Sequence, residues 1–191
     1  YYDEENKIVL IRRSDITKEY LKQKNQENKL KAIKKAADTD ALTGIYNRIG
    51  AQRLIVEYLH KSNNEMSAFI IIDLDNFKKI NDSLGHLQGD EVLKQVANIL
   101  KENFRKTDII ARLGGDENIV QKENAIISLN NLLKKLRLSY QWHEETILIT
   151  GSIGVAVAPI DGATFEVLYK NADQALYNSK YSGKNLSLIH I

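Results

Sequence analysis

Asp73-Leu74-Asp75-Asn76-Phe77-Lys78 places two carboxylates and an ammonium within one short segment, directly after the apolar run Ala68-Phe69-Ile70-Ile71-Ile72. A buried strand that ends this way turns its side chains out of the core, and acid oxygens beside a lysine suit a hard cation and a phosphate. Further along, Arg112-Leu113-Gly114-Gly115-Asp116-Glu117 leaves a second apolar segment. Its Gly-Gly pair lets backbone amides approach a ligand closely while two acids project beside it. Taken alone, that second segment reads as an ordinary hairpin turn. Two well-characterised loops are excluded. A calcium loop needs glycine at its sixth position, where Lys78 stands, and a ligand at its fifth, where Phe77 stands. The phosphate-cradling P-loop pattern fails around Gly183-Lys184-Asn185, with Asn178 in place of its first glycine and Asn185 in place of Ser or Thr.

The elements that must position these residues follow from periodicity. Ile49 to Leu59 reads as an amphipathic helix, and residues 68–72 as a fully buried strand ending at Asp73. Gly89-Asp90 opens a helix whose Val92, Leu93, Val96, Ala97, Ile99, Leu100 and Phe104 keep three-to-four spacing. Residues 109–113 form the next strand, 123–138 a helix, 146–158 a hairpin-like strand region and 165–180 a final helix, ahead of Gly183 and a short terminal strand. This pattern belongs to the α+β class: a central, mostly antiparallel sheet flanked by helices, with helices covering one face. Upstream, residues 7–13 carry the β-branched and aliphatic side chains of a strand. From Asp15 to Asp40 the chain is free of Gly and Pro and reads as one long helix. Its apolar positions Ile16, Leu21, Leu30, Ile33, Ala36 and Ala37 are too sparse for a heptad seam, which predicts a solvated connector. The expected divisions are 1–14 as the close of an upstream domain, 15–39 as a helical connector and 40–191 as the main domain. The chain starts inside an element, as a fragment of a longer protein would.

Bulk properties narrow the function. With 191 residues and 43% hydrophobic content the chain can build one core plus an appendage. Lys and Arg total 27 against 25 Asp and Glu, so nothing favours a nucleic-acid partner. The absence of cysteine excludes disulfides, thiolate metal sites and cysteine nucleophiles, and agrees with a cytoplasmic setting. No run reaches the roughly 18 apolar residues of a membrane span. His60, His86, His143 and His190 show no ligand spacing.

The two acidic segments, together with others in register, resemble the GGDEF family of diguanylate cyclases over residues 38–187. Asp40-Ala41-Leu42-Thr43-Gly44-Ile45-Tyr46-Asn47-Arg48 is similar to the family's opening Asp-x-Leu-Thr-Gly-x-x-Asn-Arg. Gly85-His86-x-x-Gly89-Asp90, Gly151-Ser152-Ile153-Gly154-Val155-Ala156 and Ala172-Asp173-x-Ala175-Leu176-Tyr177-x-x-Lys180-x-x-Gly183-Lys184-Asn185 complete the set in order. The resemblance implies a fold like nucleotidyl cyclases and polymerase palms. It also implies a reaction in which two GTP condense into cyclic di-GMP and pyrophosphate with Mg²⁺, or Mn²⁺ in its place. Asp73, the Leu74 carbonyl and Asp116 would hold the metal, Asn81 and Asp90 would read the guanine edge, and Lys78, Lys180 and Lys184 would meet the phosphates, with Gly115 against the substrate. Glu117 and Asp116 would be catalytic, Glu117 through metal binding or through activation of the ribose 3′-hydroxyl. One GTP per site implies a homodimer.

Arg105-Lys106-Thr107-Asp108 matches the family's inhibitory Arg-x-x-Asp at the family's offset from Gly114, and would bind the cyclic di-GMP product. A solvated salt bridge at a helix end is the alternative. The strand over 7–13 followed by Asp15-Ile16-Thr17 resembles the close of a PAS sensor domain feeding a signalling helix.

The departure from the family follows Glu117, where phenylalanine and an aliphatic run are replaced by Asn118-Ile119-Val120-Gln121-Lys122. A core-facing Asn costs burial energy unless bonded, and so short a strand leaves the hairpin poorly paired. Either the domain is degenerate and binds nucleotide or partner without turnover, or the sequence omits a stretch here, which would leave a Cα gap within Glu117–Gln121.

Overall fold

A computed structural model describes residues 4–62, 65–123 and 129–189. Its elements are α1 (Glu4–Asp38), α2 (Arg48–Lys61), β1 (Ser67–Asp75), α3 (Phe77–Leu84), α4 (His86–Asn103), β2 (Ile109–Gly114), β3 (Glu117–Glu123), α5 (Leu129–Lys135), β4 (Leu138–Trp142), β5 (Glu145–Ala158), α6 (Phe165–Tyr181) and β6 (Ser187–Ile189). The chain divides after Ala37 into two compact units. In the first, every described side chain of α1 from Ile16 to Ala37 is exposed, as a polar connector helix without an apolar stripe must be. Residues 7–13 belong to this helix, so the strand expected there is absent, and with it the feature on which the sensor-domain resemblance rested. Among the described residues no helix is long and apolar enough to cross a membrane.

The second unit is built on a sheet of order β2-β3-β1-β5-β4, all antiparallel, with β6 added parallel to β5. The α+β expectation holds, with helices on both faces rather than one. Alternation along β1 explains this. Ala68, Ile70, Ile72 and Leu74 face one core with residues of α3, α4 and α5, while Phe69 and Ile71 face a second core with residues of α2 and α6. Burying both faces is why the strand reads as an unbroken apolar run. On the second face the series continues as Asp73 and Asp75, so an apolar stripe turns acidic at the strand's end.

Local signals set the element ends. The Asn47 side chain accepts the Gly50 amide at 2.9 Å and caps α2, and Thr164 caps α6. Asn76 takes φ 65 between β1 and α3, a conformation Asn tolerates, and its Nδ2 donates to the Leu148 carbonyl at 2.9 Å. The helix expected over 123–138 is confined to Leu129–Lys135 in the described residues, since Glu123 ends β3 and Leu138 opens β4. The hairpin placed within 146–158 is instead made by β4 with the first part of β5, and 146–158 is a single strand whose second part pairs with β1.

β3 corrects the expectation of a poorly paired hairpin. It runs unbroken from Glu117 to Glu123, pairing β2 from Gly114 to Ile109 on one side and β1 from Ile72 to Ser67 on the other. Asn118 is 2% exposed, and its Nδ2 donates to the Asp116 carbonyl at 3.2 Å, so the buried amide is bonded. Gln121, equally buried, donates to Ser67 Oγ at 2.7 Å.

α6 lies directly on β5 at Gly154, where a Cβ would collide with the Ala172 carbonyl and the backbone of Leu176. Both obstacles are main chain and cannot rotate aside. Gly154→Ala is therefore expected to destabilise the domain by about 1–3 kcal/mol, read as a lower denaturant midpoint at unchanged slope.

Candidate active site

The two acidic segments meet at one end of the sheet because β1 and β3 are neighbours, with Ile72 opposite Asn118. Gly114 pairs with Glu117, which leaves Gly115 and Asp116 as a two-residue turn. Gly115 holds φ 53 at the first turn position, a conformation that costs other residues energy. The turn is tied from beside: Arg112 Nε donates to the Gly115 carbonyl at 2.9 Å, and Arg112 Nη1 reaches Asp40 at 3.3 Å. Asp40 also accepts the amide and hydroxyl of Thr43, at 2.9 and 2.6 Å. These donors, with the Arg112 charge, hold the Asp40 carboxyl below the usual range against the opposing effect of its partial burial. The opening motif thus supports the Gly-Gly turn through Arg112, a residue the sequence reading left without a role.

Asp116 and Glu117 are both half-buried acids. Burial pushes the Asp116 carboxyl up first, and the Asp73 charge adds to it, with Lys180 and Arg112 opposing. Burial raises Glu117 as well, and Asp173 and Asp73 add to this, while a hydrogen bond from Tyr169 opposes it. The Tyr169 hydroxyl donates to Glu117 Oε1 at 3.0 Å, and burial with the Glu117 charge pushes that hydroxyl up to about 12. Tyr169 escaped the sequence reading because it sits in an amphipathic helix as one of nine tyrosines. Its ring is stacked on Phe165 and edge-on to Phe69, so packing fixes the hydroxyl's position.

Asp73, two residues before the end of β1, is partly exposed and pairs with Lys180 of α6 at 2.8 Å. Leu74 is buried, as a core residue that offers only its backbone. A cavity of about 460 Å³ opens beside them, lined by Leu74, Asn76, Phe77, Lys78, Lys79, Asp82, Asp116 and Lys184. Four of the expected residues therefore share one wall: Leu74, Lys78, Asp116 and Lys184. Asn81 and Asp90 do not line it. They lie partly buried on the packed pair α3 and α4, where Asn81 Oδ1 fills the space that a side chain at Gly89 would need. Gly89 is thus what lets Asn81 approach Asp90's helix.

The donor set fits a small hard cation. Asp73 and Asp116 could supply carboxylate oxygens and the Leu74 backbone a carbonyl, and a cation would offset the burial and the Asp73 charge that together raise the Asp116 carboxyl. Among the described residues no group of three or more His, Cys, Asp or Glu side chains is arranged to hold a metal by itself. Mg²⁺ does not require one, since it is commonly held by one or two carboxylates together with substrate phosphates.

Arg105 and Asp108 form a closed turn. The Asp108 carboxylate accepts the Arg105 amide at 2.8 Å, and the Asp108 amide donates to the Arg105 carbonyl at 3.0 Å. Asp108 is 7% exposed while Arg105 is exposed, so the pair presents one guanidinium on a fixed turn.

Comparison with known proteins follows the same lines. The family model for the diguanylate cyclase GGDEF domain matches residues 37–186. The chain is 36% identical over 161 residues to cyclic di-GMP phosphodiesterase NbdA of Pseudomonas aeruginosa, covering 81% of this chain and 21% of that protein. Diguanylate cyclase DgcP of the same organism is 36% identical over 156 residues, covering 77% and 23%. The crystal structure of diguanylate cyclase SiaD from Pseudomonas aeruginosa, in complex with its activator SiaC, superposes with a TM-score of 0.73 at 26% identity, covering 97% of this chain and 75% of that one. The chain spans less than a quarter of either curated relative.

Because Asp116 and Glu117 hold their protons above the ordinary 3.8 and 4.5, the folded state binds protons more tightly than the unfolded chain. The stability they contribute is present at low pH and lost as pH rises through those raised values. Without divalent cation, Asp116→Asn and Glu117→Gln are each expected to flatten that loss, measured as unfolding free energy across the carboxylate range. Tyr169→Phe removes a bond that favours the charged form, so the Glu117 carboxyl is expected to titrate higher still by NMR.

Proposed function

The chain is a member of the GGDEF family of diguanylate cyclase domains, and on that footing we propose that it condenses two GTP into cyclic di-GMP and two pyrophosphates as a homodimer. The observation that carries this reading is the cavity lined together by Asp116, Lys78 and Lys184. Acids for a cation and lysines for phosphates converge there, as nucleotidyl transfer requires.

In this reading Lys78, Lys180 and Lys184 offset the triphosphate charge, and Asn81 and Asp90 hydrogen-bond the guanine edge. Asp73, the Leu74 carbonyl and Asp116 would hold Mg²⁺, which when bound polarises the phosphoryl oxygens and stabilises charge on the departing pyrophosphate. Glu117 has one oxygen engaged by Tyr169, which leaves Oε2 to accept the 3′-hydroxyl proton. Its raised carboxyl brings it toward the range in which a general base works. The 3′-oxygen of one GTP then bonds to the α-phosphorus of the other as the bond to pyrophosphate breaks. The same exchange from the second copy closes the ring, which is why two copies must face each other. Arg105 would bind product, its planar guanidinium bonding phosphate or stacking on guanine.

A second reading is a GGDEF module without turnover that binds nucleotide or a partner. The phosphodiesterase name of NbdA supports it, because a domain of this family there lies within a protein named for the opposite activity. Against it, the departure after Glu117 leaves β3 fully paired and Asn118 bonded. Incubation with GTP and Mg²⁺, with chromatographic detection of cyclic di-GMP, is expected to give product; none from a forced dimer would sink the enzyme reading. Asp116→Asn or chelation of the metal is expected to lower the rate about 100-fold or more. Arg105→Ala is expected to keep turnover while relieving inhibition by added cyclic di-GMP.

A further inference from the structure

Asp75 has no part in the reaction proposed above, yet it is among the most completely bonded acids in the domain. It is 4% exposed on the same face of β1 as Asp73. Thr150 Oγ1 donates to its Oδ2 at 2.7 Å, Ser152 Oγ to Oδ1 at 2.9 Å and to Oδ2 at 3.1 Å, and the Asn185 amide to Oδ2 at 3.2 Å. These partners are neutral. A carboxylate buried without a cation is costly, and an apolar residue here would simply continue the stripe of Phe69 and Ile71.

Three of the four bonds stay within the β1 and β5 pair, where Asp75 lies opposite Thr150. The bond to Asn185 reaches the turn after α6. Lys184 and Asn185 there hold φ 64 and 50, a left-handed conformation that Asn tolerates but that costs a lysine energy and persists at Lys184 only where the surroundings enforce it. Three ties enforce it: the Asn185 amide to Asp75, the Lys184 amide to the Ser179 carbonyl at 3.3 Å, and the Ser179 hydroxyl to the Leu186 carbonyl at 2.6 Å. The turn so held presents Lys184 to the cavity that Asp116 and Lys78 line.

We infer that Asp75 is a positioning residue: by holding the Asn185 amide, its buried carboxylate fixes the strained Lys184-Asn185 turn and aims Lys184 at the β- and γ-phosphates of a bound nucleoside triphosphate. The ligand part of this inference rests on the reading of the cavity as a GTP site. The two acids, two residues apart on β1, thereby divide their work: Asp73, partly exposed, pairs with Lys180, and Asp75 holds the turn from beneath.

The test reads the turn and the ligand separately. In the nucleotide-free wild type, the Asn185 amide is expected to exchange slowly with deuterated solvent although its residue is exposed; exchange at the free-chain rate overturns the inference. Asp75→Asn keeps the shape but offers one acceptor oxygen where two served, and the Thr150 and Ser152 hydroxyls can turn to suit it while the Asn185 amide can only donate. Exchange at Asn185 is expected to quicken, and affinity for the β,γ-imido analogue of GTP with Mg²⁺ to fall about tenfold, with GMP binding unchanged. In a Lys184→Ala background the same substitution is expected to cost no further affinity, whereas full additivity shows a general structural role and overturns the inference. If the wild type binds no triphosphate, the GTP reading fails and with it the ligand part, while the exchange rates still decide whether Asp75 holds the turn.

Discussion

The close approach of α6 to β5 at Gly154 is the contact on which the candidate site depends. With no side chain on the strand at that crossing, α6 is held at one height above the strands. That height sets three separate links at the acidic end of the sheet. Tyr169 reaches Glu117, Lys180 reaches Asp73, and the turn that closes the helix reaches Asp75. Each link joins a residue of the C-terminal part of the chain to an acid on β1 or at the Gly-Gly turn. A helix displaced outward by one methyl group would loosen all three together.

The acids themselves oppose folding. Asp116 and Glu117 are half-buried near Asp73 and Asp173, and both are pushed toward their protonated forms. A protein selected for stability alone would place apolar residues there, since β1 and β3 are otherwise buried on that face. Strain kept at one place and balanced elsewhere is a mark of a working site. The balance here comes from the paired sheet, from Arg112 bridging Asp40 to Gly115, and from the lysine and tyrosine of α6.

Much of this arrangement was legible in the chain. The buried strand ending at Asp73, the Gly-Gly turn and the spacing of the helices appear as local signals of periodicity and glycine placement. Asp73, Lys78 and Asp116 stand out because acids, a lysine and glycines interrupt those patterns, whereas Lys184 is named only through the family resemblance. Other features left no such trace. β3 was underestimated because five residues between Glu117 and the next apolar helix pattern look too few for a strand, whereas pairing on both sides makes a seven-residue strand stable. Residues 7–13 look β-branched enough for a strand but are helical, the local preference of a few residues yielding to the long helix around them. Tyr169 and Arg112 read as surface or packing residues because their partners, Glu117 and Asp40, are distant in sequence.

The Asp-Leu-Asp triplet draws the line between the two kinds of information. By itself the sequence determined that a buried strand ends in two acids on one face, since side chains alternate along a strand and the apolar run before Asp73 leaves no other reading. It also determined the family, through motifs that recur in order. Only the tertiary structure decided which acid stays partly exposed and which is sealed. Asp73 lies where Lys180 can reach it from α6, and Asp75 lies beneath the turn that follows the same helix. The physical reason is that burial and hydrogen bonding depend on what covers a residue, and what covers these two acids comes from 75 or more residues away.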